Sequence, residues 1–265
     1  MKNIVITGSS KGIGYGLAKE FLSLGHRVMI SGRMESSLKQ AQESLQRLIS
    51  NSAIDYTVCD VRVYSSVQKL YENAEKYGPV DIWINNAGLG QGTKPFDQLE
   101  IDKVEALVDT NLLGMMNGCQ VAYIGMKNQG YGAIYNMDGF GSDGRKMKNM
   151  TVYGTSKYAT DYFTRSFALE TAGTGVIIGA LSPGMVATEL LIAPIKEDTT
   201  INRQAARIFN ILADEVEPVC KFLVKEILNN RKNGKVINWL TSSKIMLRFI
   251  KNIFVKRRVK SIPVH

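Results

Sequence analysis

Tyr153 and Lys157, in the stretch Tyr-Gly-Thr-Ser-Lys, stand four residues apart. On a helix that spacing puts both side chains on one face, one turn from each other. A cation beside a phenol favours the phenolate and brings a tyrosine down from its usual pKa of ~10. A phenol tuned in this way can give and take a proton near neutral pH. The same spacing also describes an ordinary surface pair on a helix, so the surrounding residues must decide.

Residues 7–14 read Thr-Gly-Ser-Ser-Lys-Gly-Ile-Gly, directly after the apolar run Asn3-Ile4-Val5-Ile6. Gly8 permits a tight turn, and Gly12 and Gly14 let backbone approach a pyrophosphate and a helix pack close to the strand. The N–H groups at the start of that helix then face the phosphates. Thr7, Ser10, Lys11 and Ile13 complete this candidate dinucleotide loop. The second strand ends Ile30-Ser31-Gly32-Arg33, with no acid before Glu35. NAD sites usually place an acid there for the ribose hydroxyls. Arg33 and Lys11 suit a 2′-phosphate instead, and an acid would repel it, so the expected cofactor is NADP(H). Asp60-Val61, at the end of the third strand, reads as an adenine contact, as a helix N-cap, or as both.

The elements that must position these residues follow from the hydrophobic pattern. Short apolar runs at 3–7, 27–31, 54–59, 80–85, 132–137, 175–181 and 235–239 alternate with helical patterns at 12–24, 35–50, 64–77, 98–127, 152–172 and 214–229. This alternation predicts an α/β chain: a single Rossmann-like, doubly wound parallel sheet of about seven strands with helices on both faces. Residues 1–241 are expected to form one cofactor-binding and catalytic domain, with a substrate lid at about 186–212. A basic amphipathic helix follows in the tail, 242–265.

The composition agrees with such a domain. The chain has 265 residues, 45% of them hydrophobic, enough for a large core. Cys59, Cys119 and Cys220 have no close spacing, and only His26 and His265 offer imidazole, so reduced thiols, an intracellular setting and no metal site are expected. The opening Met-Lys-Asn-Ile-Val-Ile-Thr is too short an apolar run for a signal peptide, and no spanning segment stands out; the expected location is cytoplasmic. The net charge of +9 sits in the tail: residues 231–265 hold ten of the 33 Lys/Arg and none of the 24 Asp/Glu.

Taken together, Thr7-Gly8-x-x-x-Gly12-x-Gly14, Asn85-Asn86-Ala87-Gly88, Asn111, Tyr153-x-x-x-Lys157 and Pro183-Gly184 followed by Thr188 resemble the classical short-chain dehydrogenase/reductase family. The match runs over nearly the whole chain, from residue 3 to about 240. The resemblance implies that Tyr153 protonates a carbonyl oxygen, and that Lys157 holds the nicotinamide ribose and lowers the Tyr153 pKa. It implies that Asn111 anchors a water in the proton relay. Asn85, Asn86, Ala87 and Gly88 would line the cofactor cleft, and Pro183, Gly184, Val186 and Thr188 would hold the nicotinamide. It also implies a homodimer or homotetramer through the two long helices, 98–127 and 152–172.

One departure stands out. The family carries a serine before the tyrosine, often within Asn-x-Ser-Ser, whose hydroxyl polarises the carbonyl. Here the segment reads Asn136-Met137-Asp138-Gly139-Phe140-Gly141-Ser142, and Ser142 lies eleven residues before Tyr153. Three readings stand: Ser142 reaches back through the glycines, a protonated Asp138 replaces the serine, or the site is impaired. The Asn-Met-Asp-Gly-x-Gly-Ser segment also resembles the chlorophyll b reductase branch, which reduces a formyl group with NADPH. The expected function is therefore NADPH-dependent reduction of a carbonyl on a bulky apolar small molecule, as that branch does; the alternatives are a non-catalytic NADP(H) sensor on the same fold and a steroid or fatty carbonyl dehydrogenase.

The tail stretch 243–260 reads Ser-Lys-Ile-Met-Leu-Arg-Phe-Ile-Lys-Asn-Ile-Phe-Val-Lys-Arg-Arg-Val-Lys. Ile245, Met246, Phe249, Ile250 and Ile253 share one helical face, and Lys244, Arg248 and Lys251 another. Such a helix either lies on anionic lipid or packs its apolar stripe on protein with its cations in solvent. No nucleic-acid role is expected, because aromatic interleaving is sparse.

Overall fold

The computed structural model describes residues 1–92, 94–192, 208–255 and 259. Seven parallel strands form one sheet: β1 (Asn3–Ile6), β2 (Arg27–Gly32), β3 (Ile54–Val58), β4 (Ile82–Asn85), β5 (Gly132–Met137), β6 (Val176–Ser182) and β7 (Val236–Asn238), in the order β3-β2-β1-β4-β5-β6-β7. The expected strand 80–85 starts late, at Ile82, because Asp81 instead accepts the backbone N–H of Asn3 at 2.8 Å.

Successive strand residues face opposite layers, and both layers are apolar, as a parallel sheet covered on both sides requires. Ile4 and Ile6 pack with helix α1 (Gly12–Ser23), helix α2 (Glu35–Leu48) and the helix Val216–Asn229. Val5, Met29 and Trp83 face α3 (Tyr64–Glu75) and α5 (Gly114–Gln129) on the other side.

The expected helix 98–127 is interrupted. A 3-10 turn at Phe96–Gln98 precedes α4 (Ile101–Val108), a π-helical turn occupies Asp109–Leu113, and α5 follows. α5 starts on a glycine because a Cβ at Gly114 would stand 2.5 Å from Val61 Cγ2. α6 (Thr151–Glu170) lies between β5 and β6 in sequence and carries Tyr153 and Lys157. Because β1 is flanked by β2 on one side and β4 on the other, connections leave it in opposite directions, which opens a crevice at the strands' carboxyl ends.

After β6 the chain forms the short helix Glu189–Ile192. Much of the expected lid, residues 193–207, lies outside the described residues. The lid's base is pinned by a bridge between Val186 and Asp214. The tail helix spans Ser242–Phe254, and the rest of the expected 243–260 stretch lies outside the described residues apart from Val255 and Val259. Its orientation differs from the expectation of a packed apolar stripe with its cations in solvent: Arg248 faces the domain and pairs with Asp214. No helix of the described residues is long and apolar enough to cross a membrane.

Candidate active site

The crevice is framed by the loop after β1 and the loop after β4, and hydrogen bonds fasten one to the other. The Thr7 hydroxyl accepts the backbone N–H groups of Asn86 and Ala87, each at 3.0 Å. The Asn86 amide donates to the carbonyls of Thr7 at 2.9 Å and Gly8 at 2.8 Å. Gly8 is left-handed, at φ 60°, and a Cβ there would stand 2.7 Å from Ala87 Cα. A Cβ at Gly14 would stand 2.6 Å from the Asn86 amide nitrogen. Gly8 is therefore required by close approach as well as by conformation, and Gly14 by close approach. Thr188 reaches the same loop, its methyl lying 3.5 Å from where a Gly12 Cβ would be. Gly184 is left-handed at φ 71° and turns the chain after the buried Pro183, while Val186 is buried in the bridge to Asp214.

At the far end of the loop, Ser10 lies near Gly32, and Arg33 is exposed just beyond. Lys11 is paired with the Glu189 carboxylate, both side chains being exposed. Asp60 is not a helix cap. Its carboxylate accepts the Arg62 backbone N–H at 3.1 Å and the Arg62 guanidinium at 2.6 Å, while α3 starts four residues after Asp60, at Tyr64, without a side-chain cap. Arg62 beside it holds the carboxyl below its usual range. Val61 packs inward, and its carbonyl accepts the Asn117 amide at 2.9 Å.

Asn85 also departs from expectation. It points into the protein, accepting the Trp83 indole N–H at 2.7 Å and donating to Asn136 at 2.8 Å. Asn136 donates onward to the Thr164 hydroxyl at 2.9 Å. This buried polar chain ties β4 and β5 to α6 and lies under the cleft rather than lining it. Asn111, in the π turn, grips the backbone of Leu89 from both sides: it accepts the N–H at 2.8 Å and donates to the carbonyl at 3.0 Å. It also donates to Ser156 at 3.1 Å.

Tyr153 and Lys157 meet at the end of β5. The Lys157 ammonium donates to the Met137 carbonyl at 2.8 Å and lies 5.8 Å from the centre of the Tyr153 ring. The expected lowering of Tyr153 by Lys157 is not what the structure gives. Burial pushes the phenol up to about 12, and the Asp138 carboxylate acts in the same direction. Burial also brings Lys157 down to about 8, against the pull of Asp138. Desolvation thus outweighs the pair's mutual effect and keeps Tyr153 protonated.

The segment before α6 holds the residues of all three serine readings. Gly139 abuts the Tyr153 hydroxyl so closely that any side chain there would collide with it. A serine at that place would require the Tyr153 side chain to shift. The chain then turns back, Ser142 N–H donating to the Gly139 carbonyl at 3.2 Å, through a left-handed Gly141 that packs on Gly154. The Ser142 side chain is half-buried beyond that turn. Asp138 is only 4% exposed, with a buried carboxyl oxygen that lacks a partner. Its charged neighbours are Lys157, Asp161 and Arg165 on α6 and Asp143 beyond the turn, and burial raises it to about 7.

Gln91 was not visible as a site residue in the sequence. Its side-chain oxygen accepts the backbone N–H of Val152 at 2.8 Å and of Tyr153 at 3.1 Å, so the loop after β4 caps the helix that carries the tyrosine. Only the lack of a Ser, Thr, Asp or Asn immediately before Thr151 apart from Asn149, two residues away, hinted that the cap must come from elsewhere.

Residues 2–199 match the family model for short chain dehydrogenase. The chain belongs to the short-chain dehydrogenase/reductase family. It is 36% identical over 271 residues to chlorophyll(ide) b reductase NOL of Oryza sativa subsp. japonica, covering 98% of this chain and 78% of that one. It is 35% identical to the probable chlorophyll(ide) b reductase NYC1 of Arabidopsis thaliana, over 94% of this chain and 52% of that one, so it spans about half of that relative. Among solved structures, a gluconate 5-dehydrogenase from Burkholderia cenocepacia J2315 in complex with NADP and tartrate has a TM-score of 0.77 and 26% identity, covering 89% of this chain and 92% of that one. Levodione reductase, at TM-score 0.82 and 22% identity over 92% of this chain and 97% of that one, shares the fold. The resemblance to the chlorophyll(ide) b reductases thus extends over nearly the whole chain, the Asn-Met-Asp-Gly segment included.

Proposed function

We propose that this short-chain dehydrogenase/reductase is an NADPH-dependent reductase of an aldehyde or ketone on a bulky apolar molecule, akin to the chlorophyll(ide) b reductases it resembles. The observation that carries this reading is the half-buried Tyr153, one turn from the buried Lys157 on α6, in a chain whose loop of Thr7, Gly8, Gly12 and Gly14 is shaped for a dinucleotide. The left-handed Gly8 and Gly12 and the close approach at Gly14 fit a dinucleotide pyrophosphate. The exposed Arg33, with no acid at the end of β2, fits a 2′-phosphate better than a free ribose hydroxyl. When bound, the nicotinamide supplies the hydride that reduces the carbonyl carbon.

The chain's own residues then do the proton work. Tyr153 gives its hydroxyl proton to the carbonyl oxygen, and the high pKa set by burial keeps that proton in place until the oxygen becomes basic. Ser142, carried over by the Gly139–Ser142 turn, donates a hydrogen bond to the same oxygen and fixes its direction. Lys157, released from the Met137 carbonyl toward the ribose, compensates the phenolate that Tyr153 leaves behind. Exposed Tyr158, Tyr162 and Leu169 on α6 support pairing of copies through that helix.

The test is a panel of chlorophyll b, steroid ketones and long-chain aldehydes, followed by NADPH oxidation. Wild type is expected to turn over at least one of them with NADPH in preference to NADH. Tyr153→Phe should abolish turnover and leave NADPH binding unchanged. A wild type that binds NADPH yet reduces nothing in the panel would favour the sensor reading, which the missing Ser-Ser pair motivates.

A further inference from the structure

The helix Ser242–Phe254 is turned the wrong way round for a packing helix. Met246, Leu247, Phe249, Ile250, Ile253 and Phe254 are all at least 45% exposed, the last two by 78% and 82%. No residue of this helix is buried. Apart from the half-buried Ile245, its contacts with the domain among the described residues are made by charged side chains. The Arg248 guanidinium donates to Asp214 at 2.7 and 2.9 Å and to the Leu212 carbonyl at 2.6 Å, and the two charged side chains are 12% and 7% exposed. Lys244 stacks on Trp239, its ammonium 3.0 Å from the ring centre. These anchors hold the helix in place with its apolar arc facing away from the protein. Lys244 and Lys251, seven residues apart, align along one edge of that arc.

We propose that this outward face is a docking surface for an anionic membrane, on which the helix lies flat. The charge pattern selects this occupant. Residues 231–265 carry ten Lys/Arg and no Asp/Glu. A two-fold contact with a second copy would set Lys244 and Lys251 against like charges with no acid on the helix to offset them. A leaflet rich in acidic headgroups meets the cations while its acyl chains take up the apolar arc, and long lysine side chains reach from one zone to the other. The helix is too short to cross a bilayer, at 13 residues. It is fixed to Leu212 and Asp214, next to the bridge that closes the lid's base at Val186. A membrane-bound helix would therefore hold the mouth of the site close to the lipid, where an apolar substrate dissolves.

The full chain should be sedimented with vesicles of phosphatidylcholine containing phosphatidylglycerol, and with phosphatidylcholine alone. Wild type is expected to bind the anionic vesicles at least about tenfold more tightly, less so at high salt. Ile250→Glu with Ile253→Glu should lose about tenfold or more of that binding, since both residues are exposed and each substitution removes an apolar group and adds a repelled charge. NADPH binding and the melting temperature of this variant should match wild type, which shows that it folds. Three outcomes would overturn the proposal: no binding to anionic vesicles, equal binding by the double variant, or self-association in sedimentation velocity that the double variant breaks while vesicle binding is absent. Each readout is independent of carbonyl reduction, so failure of the enzymatic reading leaves it intact.

Discussion

Around Tyr153, the decisive effect at the residue scale is desolvation rather than the neighbouring cation. Tyr153 is raised to about 12, Lys157 is lowered to about 8, and Asp138 is raised to about 7, all with burial as the first cause. Asp138 is the residue through which this site departs from the family's serine, and its carboxyl acts on both partners. Above neutral pH it is ionised, and a nearby anion opposes loss of the Tyr153 proton. Asp138→Asn removes that opposition. The alkaline limb of kcat for reduction is therefore expected to move to lower pH, because the phenol ionises more readily. An unmoved limb would show that Asp138 does not act on the tyrosine. The same residue gives a sign for stability. Its pKa is higher in the folded chain than the 3.8 of a free side chain, so the folded state binds more protons and stability falls as pH rises from about 4 to about 7. In Asp138→Asn that fall should be missing, which urea midpoints at pH 5 and pH 8 would reveal.

At the element scale the site is a set of clamps between loops. Thr7 and Asn86 join the loops after β1 and β4, Asn111 grips Leu89, and Gln91 caps α6. Gln91→Ala leaves two N–H groups of the first helical turn without an acceptor, at a cost of about 0.5–2 kcal/mol. Because the freed turn contains Tyr153, kcat should fall while NADPH affinity holds, since Asn86 and Ala87 stay fastened to Thr7. Gln91→Glu keeps an acceptor oxygen at the positive end of the helix and should recover most of the loss; equal loss in both variants would refute the capping role. This clamp also marks where the sequence stops being legible. The alternation of β-branched runs and helical periods is local, so the sheet, the glycine loop and the Tyr153–Lys157 face can be read from spacing alone. Gln91 lies 61 residues from Val152, and nothing nearby in the chain announces their contact. Asn85 was misplaced for a related reason: its motif marks the strand end, but only the fold shows that its side chain turns down to Trp83 and Asn136. Gly139 belongs to the same class, since its reason is the Tyr153 hydroxyl arriving from another element.

At the scale of the whole molecule, Asp214 joins parts that are distant in the sequence. Its backbone bonds both sides of the lid's base, accepting from Ala187 at 2.8 Å and donating to Met185 at 2.9 Å. Its carboxylate accepts the Trp239 indole N–H at 2.6 Å and the Arg248 guanidinium. The lid, the end of the sheet and the tail helix thus share one buried charge. Arg248→Met would remove the cation and leave that carboxylate with Trp239 as its remaining side-chain partner among the bonds described above. Stripping one member from a buried pair costs on the order of 3–5 kcal/mol, because the survivor stays desolvated. Here the loss should be local. The tail helix fully buries no residue of its own, so without Arg248 it is held mainly by Lys244 on Trp239 and by the half-buried Ile245. Amide hydrogen exchange is expected to speed up across 242–254 and around 185–187 and 212–214. It should stay slow in β1, β4 and β5, whose apolar residues are packed in the two main core clusters. NADPH affinity should change little, since Thr7, Gly8 and Asn86 are fastened independently of Asp214. If exchange rises uniformly through the sheet, the ion pair supports the whole fold and the lid base and tail helix are not a separate unit; if it rises nowhere, Trp239 and the backbone bridge suffice to hold them.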